Sequence, residues 1–513
     1  MQKKLKETKG ITLVALIITV IILLILAGVT ISLVIGKNGL IAKSKESVEK
    51  YKDKAKEEQW QLEDFEAGME EINLAELKDE EEHPELKQMK LVLNITEDNK
   101  EIKLPVYTSS DDYKYDCTVN WGDGAINQVT NENAKTTKHT YGNTGEYTVV
   151  IEGIYENLDC NSSTQKALKK VEQWGATGLK SISLSGCTNL EKIAEPSKNS
   201  FEDVTEFYRT FEGCSNLISL PERLFANCPN VTSFYFTFAG CSSLTNIPER
   251  LFANCPNVTN FVWTFYGCSS LTNIPERLFA NCSNVPEFDS TFYECTSLTS
   301  LPERLFVNCS SVTSFNSTFA ECGSLTNIPE QLFAKCSNVA SFTSTFYGCT
   351  SLTSLPERLF VNCSSVTSFN STFAECGSLT NIPERLFANC PNIIFFRETF
   401  SDCSSLTNIS ERLFSNCQNV INFNGTFAGC SSLTNIPERL FSNCPNVISF
   451  DATFANCTEL TGKSIQLWNE ETRQENGITE NSGGKGCYYK CEKLTDYTTI
   501  PDFWKQKVYY GPS

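Results

Sequence analysis

Two histidines, His83 and His139, are all that 513 residues provide for imidazole chemistry. Acid/base catalysis and metal binding through imidazole therefore have little to work with. Asp123 and His139 are the pair whose types suit a general acid and base. Asp123, however, stands in Trp121-Gly122-Asp123-Gly124, whose composition marks a tight turn, so a turn residue and a structural histidine are expected. Cysteine is the other reactive type, with 24 copies. A metal site would need clustered spacing such as C-x-x-C. Instead the cysteines recur every 27 residues in two series, Cys187 to Cys457 and Cys228 to Cys444. Every interior cysteine has two equivalent neighbours, so nothing specifies a pairing. Buried reduced thiols acting as small apolar groups are expected. Cys487 and Cys491 stand apart and could pair. No nucleophile–base spacing or phosphate loop occurs, so the reading assigns no catalytic residue, metal or cofactor, and the chain is not expected to be an enzyme. The formal net charge of −18 argues against non-specific nucleic-acid binding.

The elements that carry these residues are set by the same period. Val204, Val231, Val258 and onward to Val447, with Ile393 in the series, stand 27 residues apart. One unit runs Val258-Thr-Asn-Phe261-Val-Trp-Thr-Phe265-Tyr-Gly-Cys268-Ser-Ser-Leu271-Thr-Asn-Ile274-Pro275-Glu-Arg-Leu278-Phe279-Ala-Asn-Cys282. A unit this short buries its apolar residues only against the next copy, which is the logic of a solenoid. Leu271 to Ile274 reads as a short strand, and Pro275 as the start of a helical turn. About eleven turns span residues 177–460, and residues 461–513 form a C-terminal cap. Cys295–Glu330 is identical to Cys349–Glu384, two turns later, as a duplicated block would be.

The pattern V-T-x-F-x-x-T-F-x-x-C-x-x-L-T-x-I-P resembles the BspA-type leucine-rich-repeat surface proteins. It departs from the L-x-x-L-x-L of standard leucine-rich repeats. The resemblance implies a surface adhesin or interaction protein. Within each turn, the two positions after the first Phe vary while their neighbours stay fixed, so they are expected to face solvent. The early turns place aromatics there. Tyr208, Tyr235, Phe236 and Trp263 are the candidate binding patch for a protein or glycan partner; the competing reading packs them against the preceding domain as a cap.

Ahead of the array, lysines in residues 1–10 precede 25 uncharged residues, 11–35, long enough to span a bilayer with the amino terminus in the cytoplasm. Lys9-Gly10-Ile11-Thr12-Leu13 resembles the prepilin-type cleavage motif, which implies processing between Gly10 and Ile11. The glutamate that this family carries five residues after the cut is Ala15 here. Residues 36–88, rich in Lys and Glu, suit a charged helical stalk. Residues 89–155 carry strand-like runs, and Trp121-Gly-Asp-Gly, His139-x-Tyr141 and Gly145-x-Tyr147-x-Val149 resemble a PKD-type β-sandwich with Trp121 and Tyr147 in its core. Residues 156–176 link or cap.

The expected fold class is multidomain: an N-terminal transmembrane helix, a small PKD-like β-sandwich, then a leucine-rich-repeat-like solenoid of short strands and short helical turns. The expected function is membrane-anchored cell-surface binding of a protein or glycan. The alternative is a pilin-like structural or minor tip subunit contacting other filament subunits.

Overall fold

The computed structural model describes residues 83–106, 113–130, 135–160, 162–478 and 483–508. The leader with Gly10 and Ile11, the apolar stretch 11–35 and nearly all of the stalk lie outside them. No helix among the described residues is long and apolar enough to cross a membrane.

The β region is built on alternation. β1 (Met89–Ile95), β3 (Tyr115–Asn120) and β6 (Gly145–Tyr155) put Leu91, Leu93, Val119, Val149 and Ile151 into the core. β1 pairs antiparallel with β6 from Met89↔Ile151 to Ile95↔Gly145. β4 (Ile126–Val129) closes one edge, and β2 (Lys100–Lys103) with β5 (Lys138–Tyr141) makes a second, two-stranded sheet. The segment expected as a linker is structured. It holds β7 (Asn157–Asp159), α1 (Ser162–Ala167) and β8 (Leu168–Gln173). β8 pairs with β1 on one side. On its other side it pairs in parallel with β10 (Lys192–Ile193) of the first repeat turn. β9 (Ser181–Ser183) likewise pairs with β7. The repeat array therefore grows directly out of the six-stranded sheet β10-β8-β1-β6-β3-β4.

Within the array the inter-turn bridge is not where the apolar pattern placed it. Leu271–Ile274 forms no strand. The bridges are single residues two positions after the Val, running Glu206, Ser233, Asn260 and, further on, Glu287 to Ser449. No helix forms in the repeats either: Pro275 opens a tight turn closed by Leu278 N–H to Pro275 O at 3.3 Å. From the bridge onward, every second amide reaches the following turn. Phe207 N donates to Ser233 O at 3.0 Å, Arg209 N to Tyr235 O at 3.0 Å, and Phe211 N to Thr237 O at 2.8 Å.

The same geometry explains two side-chain types. The carbonyl of the first Phe accepts from the buried Thr of the next turn, as in Thr237 Oγ1 to Phe207 O at 2.8 Å. The carbonyl of the second Phe accepts from the next cysteine, as in Cys241 Sγ to Phe211 O at 3.1 Å. These thiols are donors as well as fillers. The second cysteine series makes only longer contacts, such as Cys309 Sγ to Phe279 O at 3.8 Å, and so behaves as plain packing. All 24 cysteines are free and buried, and burial pushes Cys268 and Cys376 up to about 12. Two asparagine series bond the previous turn's carbonyls, for example Asn254 Nδ2 to Ala226 O at 2.7 Å and Asn257 Nδ2 to Pro229 O at 2.9 Å.

Three phenylalanine ladders fill the interior. Phe288 and Phe315 stack at 6.0 Å, Phe292 and Phe319 at 5.7 Å, and Phe279 meets Phe288 at 4.6 Å. Trp174 closes the amino-terminal end, its ring edge-on to Phe201 at 5.0 Å and its Nε1 donating to Ala194 O at 2.8 Å. At the far end a further rung follows an excursion that contains α2 (Glu470–Glu475). Phe450 N donates to Gly483 O at 2.8 Å, Cys491 Sγ to Phe454 O at 3.0 Å, and Tyr488 stacks on Phe454 at 5.9 Å. Trp468 and Trp504, the latter on α3 (Asp502–Lys505), pack behind it 5.6 Å apart.

Because each turn contacts only its neighbours, the array should shorten without losing its fold. Removing Cys322–Glu375 rejoins Glu321 to Cys376 with the local sequence Ala-Glu-Cys-Gly-Ser unchanged. The shortened chain is expected to unfold cooperatively, with both ends intact, and to be about 10 Å shorter; scattering and thermal unfolding would measure this. Loss of a cooperative transition would contradict turn-by-turn stacking.

Candidate binding face

Two residues in most turns adopt left-handed backbone. The first is the second varying position, occupied by Arg209, Phe236, Trp263, Ser290, Ser317 and their successors, with φ between 49° and 60° among the non-glycine residues. The second lies four residues on, as Gly213, Gly240, Gly267, Glu294, Glu321, Gly348, Glu375 and Asp402. These two corners push the intervening Thr and Phe inward. They bring the residues at the corners, and those just before them, to one face, where a large side chain such as Tyr208 reaches solvent and a small one such as Ala239 or Ala320 is covered.

Tyr208 is half exposed, at 48%, while Tyr235, Phe236 and Trp263 are only partly exposed. They shield one another. Tyr208 stacks on Tyr235 at 5.7 Å, and Phe236 on Trp263 at 5.4 Å, each pair nearly parallel. Tyr235 meets Phe236 edge-on at 4.7 Å. The Arg209 guanidinium lies 4.8 Å from the Phe236 ring centre and pairs with Glu212 at 3.4 Å. The structure thus brings all four expected residues together. Among the described residues, their ring partners are one another and the array's own tyrosines; Trp174, not these four, faces the β region's end of the array.

Two members were missed. Trp263 touches Tyr266 at 5.0 Å and Tyr293 at 5.8 Å, and these tyrosines lie 5.5 Å apart. They sit three residues after the second varying position, at a place that holds Glu, Ala, Tyr or Ser in different turns. That variation was the available signal. The aromatic face then runs into carboxylates. Burial and the neighbouring Glu294 raise the Tyr266 phenol, and Tyr347 donates to Glu375. Burial, with Glu375 and Glu294 nearby, raises the Glu321 carboxyl above its ordinary range. Burial likewise raises Asp289, which accepts from Ser314 Oγ at 2.6 Å and Asn316 N at 2.9 Å.

Asp123 and His139 do meet, Oδ2 to Nε2 at 2.7 Å. His139 lies flat on buried Trp121 at 4.9 Å, and Asp123 Oδ1 accepts from Ala125 N at 3.1 Å inside the turn. Burial opposes ionisation of Asp123, but the Ala125 amide and His139 outweigh it and hold the carboxyl below its usual range. The pair fastens a turn over an aromatic ring. Trp121 is core as expected, whereas Tyr147 is only partly buried and Tyr141 takes the core place, donating to Trp121 O at 2.9 Å. A cleft of about 440 Å³ beside β10 has Lys170 and Lys192 balanced by Glu172 and Glu195. Among the described residues, no group of three or more His, Cys, Asp or Glu could hold a metal ion.

The sequence profile described as "BspA type Leucine rich repeat region (6 copies)" matches residues 175–316, 245–461 and 397–505. The chain belongs to the BspA-type leucine-rich-repeat family. Among solved structures, the BspA-type chain is similar to a leucine-rich cell surface protein from Faecalibacterium prausnitzii, at 17% identity and TM-score 0.30, over 60% of this chain and 81% of that one. It is also similar to a chain of the Drosophila Toll–Spätzle complex, at 17% identity and TM-score 0.24, over 55% and 41% of the two chains. A TLR13 complex with single-stranded RNA matches at 13% identity and TM-score 0.16, over 52% and 50%. No curated protein sequence matches the chain.

The BspA-type corner accepts Gly425 where other turns hold Phe236 and Trp263. Left-handed backbone costs a side-chain-bearing residue about 1–2 kcal/mol, and lost ring stacking costs about 0.5–1.5 kcal/mol. Replacing Phe236 and Trp263 together by glycine relieves two strained corners while it gives up their ring contacts, so these effects partly offset and the loss per residue should stay well below that of an interior ring. Phe238→Ala, in the interior, should cost about 3–5 kcal/mol. Denaturant titration of the three proteins checks this; equal losses would make the outer aromatics structural.

Proposed function

We propose that this chain is a membrane-anchored cell-surface adhesin whose repeat array binds a partner, and that it is not an enzyme. The observation that carries the reading is the outward aromatic cluster of Tyr208, Tyr235, Phe236 and Trp263, built at positions the fold leaves free to vary. Rings of this kind anchor protein interfaces because they bury large area at low entropic cost. A protein or a glycan is the partner class, and the acidic net charge argues against nucleic acid. The apolar stretch 11–35 supplies the anchor. Cells displaying the full chain should adhere to immobilised surface proteins or glycans. Alanine at all four aromatic positions should reduce that adhesion at least tenfold, and undiminished adhesion would sink the assignment.

A second reading rests on Lys9-Gly10-Ile11. A chain cut after Gly10 and assembled into a filament would be a minor tip subunit carrying the same binding face. Mass spectrometry of sheared filaments is then expected to find a mature terminus at Ile11. A retained Met1 found only in membranes excludes that route.

A further inference from the structure

The aromatic cluster does not end at Trp263. Contacts pass from Tyr208 through Tyr235, Phe236 and Trp263 to Tyr266 and Tyr293. From there the face continues through Glu294, Glu321 and Glu375. Stacked turns spaced about 4.8 Å apart make this strip roughly 30 Å long, the span of about nine extended residues.

Two features of the strip decide what fits it. First, the rings spend their faces on one another: Tyr208 and Tyr235, and Phe236 and Trp263, stack nearly parallel along the array, while Tyr235 meets Phe236 and Trp263 meets Tyr266 edge to face. A sugar ring stacks on an aromatic face, and such faces are scarce here. Aliphatic and aromatic side chains of a polypeptide pack against ring edges readily. Second, from Tyr235 to Glu375 the two varying positions of each turn, the left-handed corner four residues after the second of them, and the residue just before that corner hold no Lys or Arg. Glu321 has like charges as its electrostatic neighbours, and Tyr293 faces Glu294 and Glu321. Cations from outside would relieve that crowding.

We propose that the strip is a docking track for an extended, basic segment of a partner protein, with apolar side chains against the aromatic rungs and Lys or Arg against Glu294, Glu321 and Glu375. This rests on the aromatic cluster being the binding face, and it excludes a neutral glycan as the natural occupant. Charge complementarity sets orientation: the segment's apolar end lies toward the β region and its basic end toward the middle of the array.

Three labelled decapeptides test it against the purified full-length chain by fluorescence anisotropy. Each carries two Trp at one end, followed by lysines, glutamates or serines. The lysine peptide is expected to bind at least tenfold tighter than the serine peptide at low salt and to weaken as salt rises. Joint replacement of Glu294, Glu321 and Glu375 by Gln should remove that advantage. Glycine at the same three positions, as in Gly240, Gly267 and Gly348, should do the same without backbone strain. Gln at Glu276, Glu303 and Glu330, on another ladder, should change nothing. Equal binding of all three peptides, abolished by the four-alanine aromatic variant, would overturn the basic partner and leave the binding face standing. Binding untouched by either set of variants would overturn both. Failure of the lysine peptide to bind at millimolar concentration would overturn the docking track.

Discussion

Everything in the array depends on one constraint. A 27-residue turn cannot enclose its own apolar side chains, so each must lie flat against the next. Flat stacking demands that equivalent residues sit in register, and that turns phenylalanine into three continuous ladders. The two Phe carbonyls of each turn accept an amide of their own turn, as Thr237 N donates to Phe234 O at 3.1 Å and Cys241 N to Phe238 O at 3.1 Å. The buried Thr and the first cysteine of the next turn add a second donor to each, which ties neighbouring turns together. The Thr hydroxyl is itself buried, and left without an acceptor it would cost about 1–3 kcal/mol, so stacking in register satisfies it at every rung.

The period and four of the six aromatic members of the face were legible because they rest on spacing. Val at every twenty-seventh residue needs no knowledge of the backbone path. The bridge was misplaced for a physical reason. Leu271 to Ile274 has the apolar look of a buried strand, yet the actual bridge uses Asn260, a polar residue whose side chain stays near the surface. One-residue bridges leave no alternating pattern to read. The tyrosines Tyr266 and Tyr293 escaped because they lie outside the pair of positions that varies most, and the left-handed corner that brings them to the same face is a backbone property.

The junction with the β region shows the same economy. β8 uses one edge for β1 and the other for β10, so the first turn of the array is a strand of the preceding sheet. An exposed ladder end would invite another chain to add on. Here the sheet occupies one end, and Tyr488, Trp468 and Trp504 cover the other. Growth by internal duplication leaves both of these ends untouched, and Cys295–Glu330 and its copy Cys349–Glu384 lie in the middle of the array.

The thiol series has a consequence for the life of the chain. Folded, its 24 cysteines are sealed in the interior, where burial pushes thiols such as Cys268 and Cys376 up to about 12. Unfolded in air, the same chain is a string of interchangeable thiols, and almost any pair that oxidises locks in a wrong register. Unfolding would then be a one-way event, so the quantity that selection can act on is the rate at which turns open and not the depth of the equilibrium. Durability of this molecule is a matter of kinetics.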